Sequence, residues 1–176
     1  MKIGFCGTVS VGKTSLVNEL KSLPEFSHYK FTTERSKYLR DLGIPLNTDS
    51  TLKGQIIFAA ERSRELLEEN IITDRTIIDV MAFSLLSKSI PPNDKDDFCI
   101  MAKNLISEYD YIFYVSPEGV NIEDNGVRET DAEYREEIDH SIQRIINIYK
   151  HRIKNFYKIE GSMEDRISSI KHALSL

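Results

Sequence analysis

Residues 7 to 14 read Gly7-Thr8-Val9-Ser10-Val11-Gly12-Lys13-Thr14 and complete the pattern G-x-x-x-x-G-K-S/T directly behind the apolar run Ile3-Gly4-Phe5-Cys6. In such a loop successive backbone N–H groups turn inward as an anion nest, and the N-terminus of the following helix aims its dipole at the same point. Each fixed residue has its own task. Gly7 allows the tight turn, Gly12 lets the backbone approach a phosphate, Lys13 reaches the β- and γ-phosphates, and the Thr14 hydroxyl ligates Mg2+. The candidate contact set therefore runs through Gly7, Val9, Ser10 and Val11 into Gly12, Lys13, Thr14 and Ser15. The pattern implies a bound triphosphate and leaves open where the γ-phosphate goes.

A second pair with chemical potential is Asp74-Arg75, which closes the stretch Ile71-Ile72-Thr73. Asp74 can order Mg2+ through its water shell, making Thr14 and Asp74 the candidate metal residues, while Arg75 neutralises phosphate charge or holds an acceptor. Three classes share such a loop, and their second motifs separate them. A GTPase carries a guanine-reading Asn-Lys-x-Asp and an Asp-x-x-Gly at strand ends, and neither stands at such a place here. A remodelling ATPase runs an apolar strand into Asp-Glu, the Glu activating water, whereas here Arg75 follows Asp74. Without a water-activating acid, transfer of the phosphoryl group to an acceptor is the reading that fits, with Lys13 and Asp74 as catalytic residues. The contrasting class is an ATP-binding regulatory switch that has no acceptor.

The elements that must position these groups alternate between strand and helix signals along the chain, the pattern of a parallel sheet covered by helices on both faces. Strands are expected at about Lys2–Cys6, Tyr29–Thr32, Asn70–Thr73, Tyr109–Val115 and Asn155–Ile159. A helix over Thr14–Ser22 carries Leu16, Val17, Leu20 and Leu23 on one stripe and stops at Pro24; another, after Glu34, is broken by Gly43 and Pro45. From Thr51 to about Glu69 the residues Ile56, Ala59, Ala60 and Leu67 recur at near-helical spacing, which predicts an amphipathic helix with those positions inward. Thr76 or Asp79 caps a helix through Lys88, and Pro91-Pro92 starts one that reaches Glu108. Residues Ile138, Ile142, Ile145, Ile146 and Tyr149 form the cleanest apolar stripe and read as core. The last helix carries Met163, Ile167, Ile170 and Leu174. Between them, residues 116–130 form a long connection that reads as a lid.

Bulk properties narrow the partners. A chain of 176 residues, 40% hydrophobic and 29% charged, suits one compact domain over residues 1–176. The net charge of −5 argues against a grip on polynucleotide, which leaves a basic footprint. The two cysteines, Cys6 and Cys99, have no metal or disulfide spacing and are expected as buried thiols of a reducing compartment. No leader pattern and no membrane-length apolar run is seen, so the expectation is a cytoplasmic protein without membrane contact.

On the phosphate loop, on Glu34-Arg35 after the second strand, on Asp74-Arg75-Thr76-Ile77-Ile78-Asp79, and on Asp124-Asn125-Gly126-Val127-Arg128 with Asp131-Ala132-Glu133-Tyr134-Arg135 behind it, the chain resembles small P-loop nucleoside and nucleotide kinases. Within them it looks most like the nicotinamide riboside kinase domain family, and thymidylate and deoxynucleoside kinases share the layout. The resemblance implies a three-layer α/β P-loop kinase fold with a five-stranded parallel sheet and a lid loop. It also implies ATP and Mg2+ as cofactors, and a nucleoside, nucleoside monophosphate or nicotinamide riboside as acceptor.

Residue by residue, the resemblance makes Glu34 the candidate acceptor-side acid. A carboxylate about 3 Å from a hydroxyl could take its proton, whereas for a phosphate acceptor Arg35 and Arg75 would clamp the incoming group bidentately. These kinases usually place Pro where this chain has Arg35, so the detailed acceptor geometry does not transfer. Arg128 would act as an arginine finger from the lid, with Arg135 second. Gln55 resembles the base-reading Gln of nucleoside kinases, and Gly161-Ser162 matches the turn whose backbone meets adenine. The partner expected is a small nucleoside or nucleotide, with a homodimer left open.

Overall fold

The computed structural model describes residues 1–33, 36–118 and 132–176. Five apolar stretches form parallel strands: β1 (Lys2–Cys6), β2 (Lys30–Thr32), β3 (Ile71–Asp74), β4 (Tyr111–Val115) and β5 (Phe156–Ile159), in the spatial order β2-β3-β1-β4-β5. Register places Phe5 opposite Asp74 on one side and Phe113 on the other, so the carboxyl ends of β1, β3 and β4 open at one edge of the sheet. Ligands of open α/β sheets sit outside the carboxyl ends of the strands, where the strand order reverses. Here the chain leaves β1 for one side of the sheet, then crosses to β4 on the other, and the phosphate loop lies at that crossing.

The strands read as continuous apolar runs because both faces are covered. Ile3, Phe5, Phe113 and Val115 join Leu16, Val17 and Leu20 of α1 (Lys13–Ser22) and Ile170 and Leu174 of α7 (Met163–Leu174). Cys6, Ile112 and Tyr114 face the opposite layer, made by α3 (Leu52–Glu65), α4 (Ile77–Leu86), α5 (Pro92–Ala102) and α6 (Ala132–Tyr149). A short helix α2 (Ser36–Asp41) follows β2. Each fully buried Leu, Ile, Val or Phe contributes about 1.5–3 kcal/mol. Helix α4 is apolar nearly all round, with Ile77, Ile78, Val80, Met81 and Ala82 all buried, because the sheet and three helices enclose it. Both cysteines are buried free thiols, and burial pushes the Cys6 thiol up.

Several element ends differ from those expected, by the few residues over which helix ends fray. Helix α4 stops at Leu86 rather than Lys88, α5 gives way at Ala102 to a 3-10 segment over Lys103–Glu108, and β4 starts at Tyr111 rather than Tyr109. The larger correction concerns α3. It ends at Glu65, and Ile56 and Leu67 are exposed, as is Ala60, while Gln55, Arg62 and Glu65 are buried. Of the expected stripe only Ala59 points inward, because the carboxyl ends of β2 and β3 present polar groups for that helix to satisfy. The connection expected as a lid lies outside the described residues from 119 to 131. Among the described residues no helix is long and apolar enough to cross a membrane.

At Gly4 the α4 side of the molecule presses on β1. An added Cβ would stand 2.5 Å from Thr76 Cγ2 and 2.7 Å from Tyr109 Cε1, both buried side chains. Gly4→Ala should therefore destabilise the fold by about 1–3 kcal/mol through overpacking, seen as a lower urea midpoint at unchanged slope.

Candidate functional site

Chain direction at the end of β1 reverses through Gly7 (φ +151°), Ser10 (φ +57°) and Gly12 (φ +83°), conformations that turn the backbone amides of the loop inward. A Cβ on Gly7 would sit 2.7 Å from the Val115 carbonyl oxygen, so β4 also requires glycine there. Val9 and Val11 are buried and anchor the loop, with Val11 in the α1-side core, whereas Ser15 is exposed on the first turn of α1. Lys13 is 6% exposed, and its ammonium donates to the Gly7 and Thr8 carbonyl oxygens at 2.6 Å each, curled over the cavity of the loop. Thr14 Oγ1 donates to Asp74 Oδ2 at 2.5 Å across the gap between α1 and β3. Asp74 is 1% exposed, with its carboxylate on the loop side of the sheet.

Thr14 and Asp74 thus bring a hydroxyl and a carboxylate together beside an anion nest. Mg2+ keeps several waters and takes one or two protein oxygens plus substrate phosphates, so this hard-donor pair fits it. No group of three or more His, Cys, Asp or Glu side chains placed to hold a metal ion occurs among the described residues.

Arg75 follows with φ +90°, a strained value for a branched-chain-sized residue, and several contacts hold it there. Its N–H donates to the Phe5 carbonyl at 3.0 Å, its carbonyl accepts from Arg62 at 3.3 Å, and its guanidinium lies 5.0 Å over the Phe83 ring and 3.8 Å from Asp79. Arg62, 4% exposed, also donates to the Asp74 carbonyl at 3.3 Å and pairs with Glu65 at 2.7 Å. Burial pushes the Glu65 carboxyl up, and Arg62 beside it pulls it back. The pair is a buried brace under the Asp74-Arg75 turn, of the kind whose rupture strands a charge.

Two side chains from distant sequence positions support the loop, and one side chain of the loop itself reaches out to a further helix. Asp79, fully buried, accepts from the Gly7 N–H at 3.2 Å and from the Thr76 N–H at 2.8 Å. Burial raises its carboxyl above the usual range, against the pull of Lys13 and Arg75. Arg166 of α7 donates to the Val11 carbonyl at 2.7 Å and to the Gly161 carbonyl at 3.0 Å, so it joins the loop to the turn after β5. The Thr8 hydroxyl donates to the Arg135 carbonyl at 2.7 Å in the first turn of α6. Loss of solvent lowers the Arg135 guanidinium somewhat, with Asp139 nearby opposing.

The expected residues divide accordingly. The loop from Gly7 to Ser15, Asp74 and Arg75 come together at the carboxyl edge of the sheet. Gln55 is buried on α3, seven residues before Arg62 and on the same face. Gly161 adopts φ +87°, and the Ser162 hydroxyl is committed to Asp165 in the capping box of α7, which leaves backbone to meet a ligand. Glu34, Arg35 and Arg128 lie outside the described residues. Arg62, Asp79 and Arg166 join the site without being among the residues expected there. Arg62 and Arg166 look like ordinary solvated charges in a helix pattern; Asp79 had one local signal, the Thr-x-x-Asp start of a capping box.

Comparison with known proteins agrees with the fold. A family model described as an AAA domain matches residues 2–166. No curated protein sequence matches the chain. Among solved structures, deoxyadenosine kinase from M. mycoides, with the products dCMP and a flexible dCDP bound, superposes with a TM-score of 0.71 at 20% identity, over 99% of this chain and 98% of that one. The same kinase with bound dATP gives 0.65 at 20% identity, with 100% of both chains covered. NadR protein in complex with NR gives 0.76 at 17% identity, over 99% of this chain and 51% of that one. The shared feature is the fold: a parallel sheet with helices on both faces.

Removing the Arg166 bridge tests the support of the loop. Arg166→Ala leaves the Val11 carbonyl without its charged donor and should weaken ATP binding about tenfold, read by titration calorimetry.

Proposed function

The chain belongs to the AAA-domain family, and from that premise we propose that it is an ATP- and Mg2+-dependent kinase that transfers the γ-phosphoryl group to a nucleoside or nucleoside monophosphate. The observation that carries this reading is the contact of Thr14 Oγ1 with Asp74, followed by Arg75 rather than by a water-activating acid. The fold shared with deoxyadenosine kinase and with NadR, whose structures hold deoxynucleotides and NR, supports the acceptor class.

In this mechanism the loop amides and Lys13 hold the β- and γ-phosphates, Lys13 turning from the Gly7 and Thr8 carbonyls toward the phosphate oxygens. Thr14 and Asp74 are the residues that would hold a Mg2+ ion, which would supply positive charge to those oxygens. The acceptor oxygen attacks the γ-phosphorus in line, the bond from that phosphorus to the β,γ-bridging oxygen breaks, and ADP departs. For a hydroxyl acceptor the proton passes to the Glu34 carboxylate. For a monophosphate acceptor Arg35 and Arg75 hold the incoming phosphate instead. Gln55 reads the acceptor base, Gly161-Ser162 receives adenine, and Arg128 closes over the γ-phosphoryl oxygens to stabilise their charge and exclude water. A second reading, closer to nicotinamide riboside kinases, differs only in the acceptor and is favoured by the NadR superposition.

ATP consumption measured with and without a panel of nucleosides, monophosphates and nicotinamide riboside decides among these. Acceptor-stimulated turnover identifies the kinase and its substrate; slow hydrolysis indifferent to every acceptor identifies a nucleotide switch. Lys13→Ala should abolish phosphoryl transfer with the circular dichroism spectrum unchanged, and near-normal turnover would overturn the assignment. Arg128→Ala should lower kcat by about a thousandfold with little change in ATP affinity.

A further inference from the structure

We infer that Asp79 is a positioning residue that ties the phosphate loop to the Asp74-Arg75 turn, so that one carboxylate sets the donor site and the neighbouring cation together. Its two oxygens face different parts of the molecule. Oδ2 accepts the Thr76 N–H at 2.8 Å and the Thr76 hydroxyl at 3.0 Å, which completes the capping box of α4. Oδ1 is turned away from the helix, to the Gly7 N–H at 3.2 Å and the Arg75 guanidinium at 3.8 Å.

A helix start needs only the first of these contacts. An exposed acid or a neutral polar side chain would satisfy the Thr76 N–H without the desolvation that a fully buried carboxylate suffers. A buried negative charge beside a loop built to attract anions is, moreover, unfavourable on its own account. What offsets it is the pair of cations that flank it, Lys13 and Arg75, both of which act on the Asp79 carboxyl. The contact also orients the loop. With its N–H held by Asp79 and its carbonyl held by Lys13, the Gly7 residue is fixed at both ends, and the amides that follow it face the phosphate position. On the other side, Asp79 and the Phe83 ring hold the Arg75 guanidinium while the backbone keeps φ +90°. Movement of either segment is therefore felt by the other through a single side chain. The consequence for turnover rests on the kinase reading above; the consequence for ATP affinity does not.

Four variants test the tie: Asp79→Asn, Asp79→Ser, Arg75→Gln and Thr76→Ala, each measured for ATP affinity by calorimetry, for acceptor-stimulated kcat and KM, and for thermal unfolding. Asp79→Asn keeps an oxygen for one donor only and should weaken ATP binding about tenfold and lower kcat by a comparable or larger factor. Combined with Arg75→Gln, it should cost kcat no more than the worse single variant, because both break the same link. Thr76→Ala removes a cap partner and leaves the Gly7 contact, so it should lower the melting temperature with ATP affinity and kcat unchanged. Should Asp79→Asn not fold, Asp79→Ser, which leaves the Thr76 hydroxyl capping the Ile78 N–H but is too short to reach Gly7, takes its place in the same measurements. ATP affinity and kcat at wild-type values in the folded Asp79 variant, or additive losses in the double variant, would overturn the inference. A wild-type protein that binds ATP yet ignores every acceptor would overturn the kinase reading and leave the calorimetric test of Asp79 standing.

Discussion

Everything at the carboxyl edge of this sheet depends on one unfavourable piece of backbone. The loop after β1 must present its amides to an anion, and it does so with left-handed geometry at Ser10 and Gly12 and a turn at Gly7 that β4 crowds against. A curl of this kind cannot form its own backbone ladder, so its carbonyls and amides need partners from elsewhere. They are supplied from both helical layers. Lys13 at the start of α1 takes the Gly7 and Thr8 carbonyls, Arg166 of α7 takes that of Val11, and Asp79 of α4 takes the Gly7 N–H. The loop is thus pre-shaped for phosphate before phosphate arrives, which reduces the ordering that binding must otherwise impose.

The same logic explains why polar groups are buried beneath β3. Strand ends that carry functional side chains leave backbone carbonyls exposed to the interior, and Arg62 covers those of Asp74 and Arg75. Glu65 then balances the guanidinium. Helix α3 consequently buries Gln55, Arg62 and Glu65 alongside Ala59 and leaves Ile56 to solvent, a departure from the usual amphipathic arrangement. The brace and the Asp79 contact converge on Arg75, whose strained backbone persists because its surroundings over-determine it.

How much of this was readable depended on whether the controlling interactions are local. The strands, the phosphate loop, the amphipathic α6 and the capping box of α4 all announce themselves within a few residues, through periodicity, glycine spacing or a cap pattern. Periodicity locates the helix that the structure places at Leu52–Glu65 but not its buried face, because it reports the average preference of side chains and not the polar demands of the strand ends they meet. The charges of Arg62 and Arg166 carry no local mark; they acquire meaning through partners that lie 12 and 155 residues away.

The sequence by itself determined the chemistry on offer: a glycine-spaced anion loop with its lysine and threonine, and an acid followed by arginine at a strand end. Those are short-range requirements, imposed by backbone conformation and side-chain type, and residue order alone satisfies them. Only the tertiary structure decided that Thr14 meets Asp74, that Asp79 joins the loop to Arg75, and that α3 buries its charges. The first two of these contacts join segments brought together by the parallel pairing of β3 with β1, and sheet register, which no single segment encodes, sets their distances.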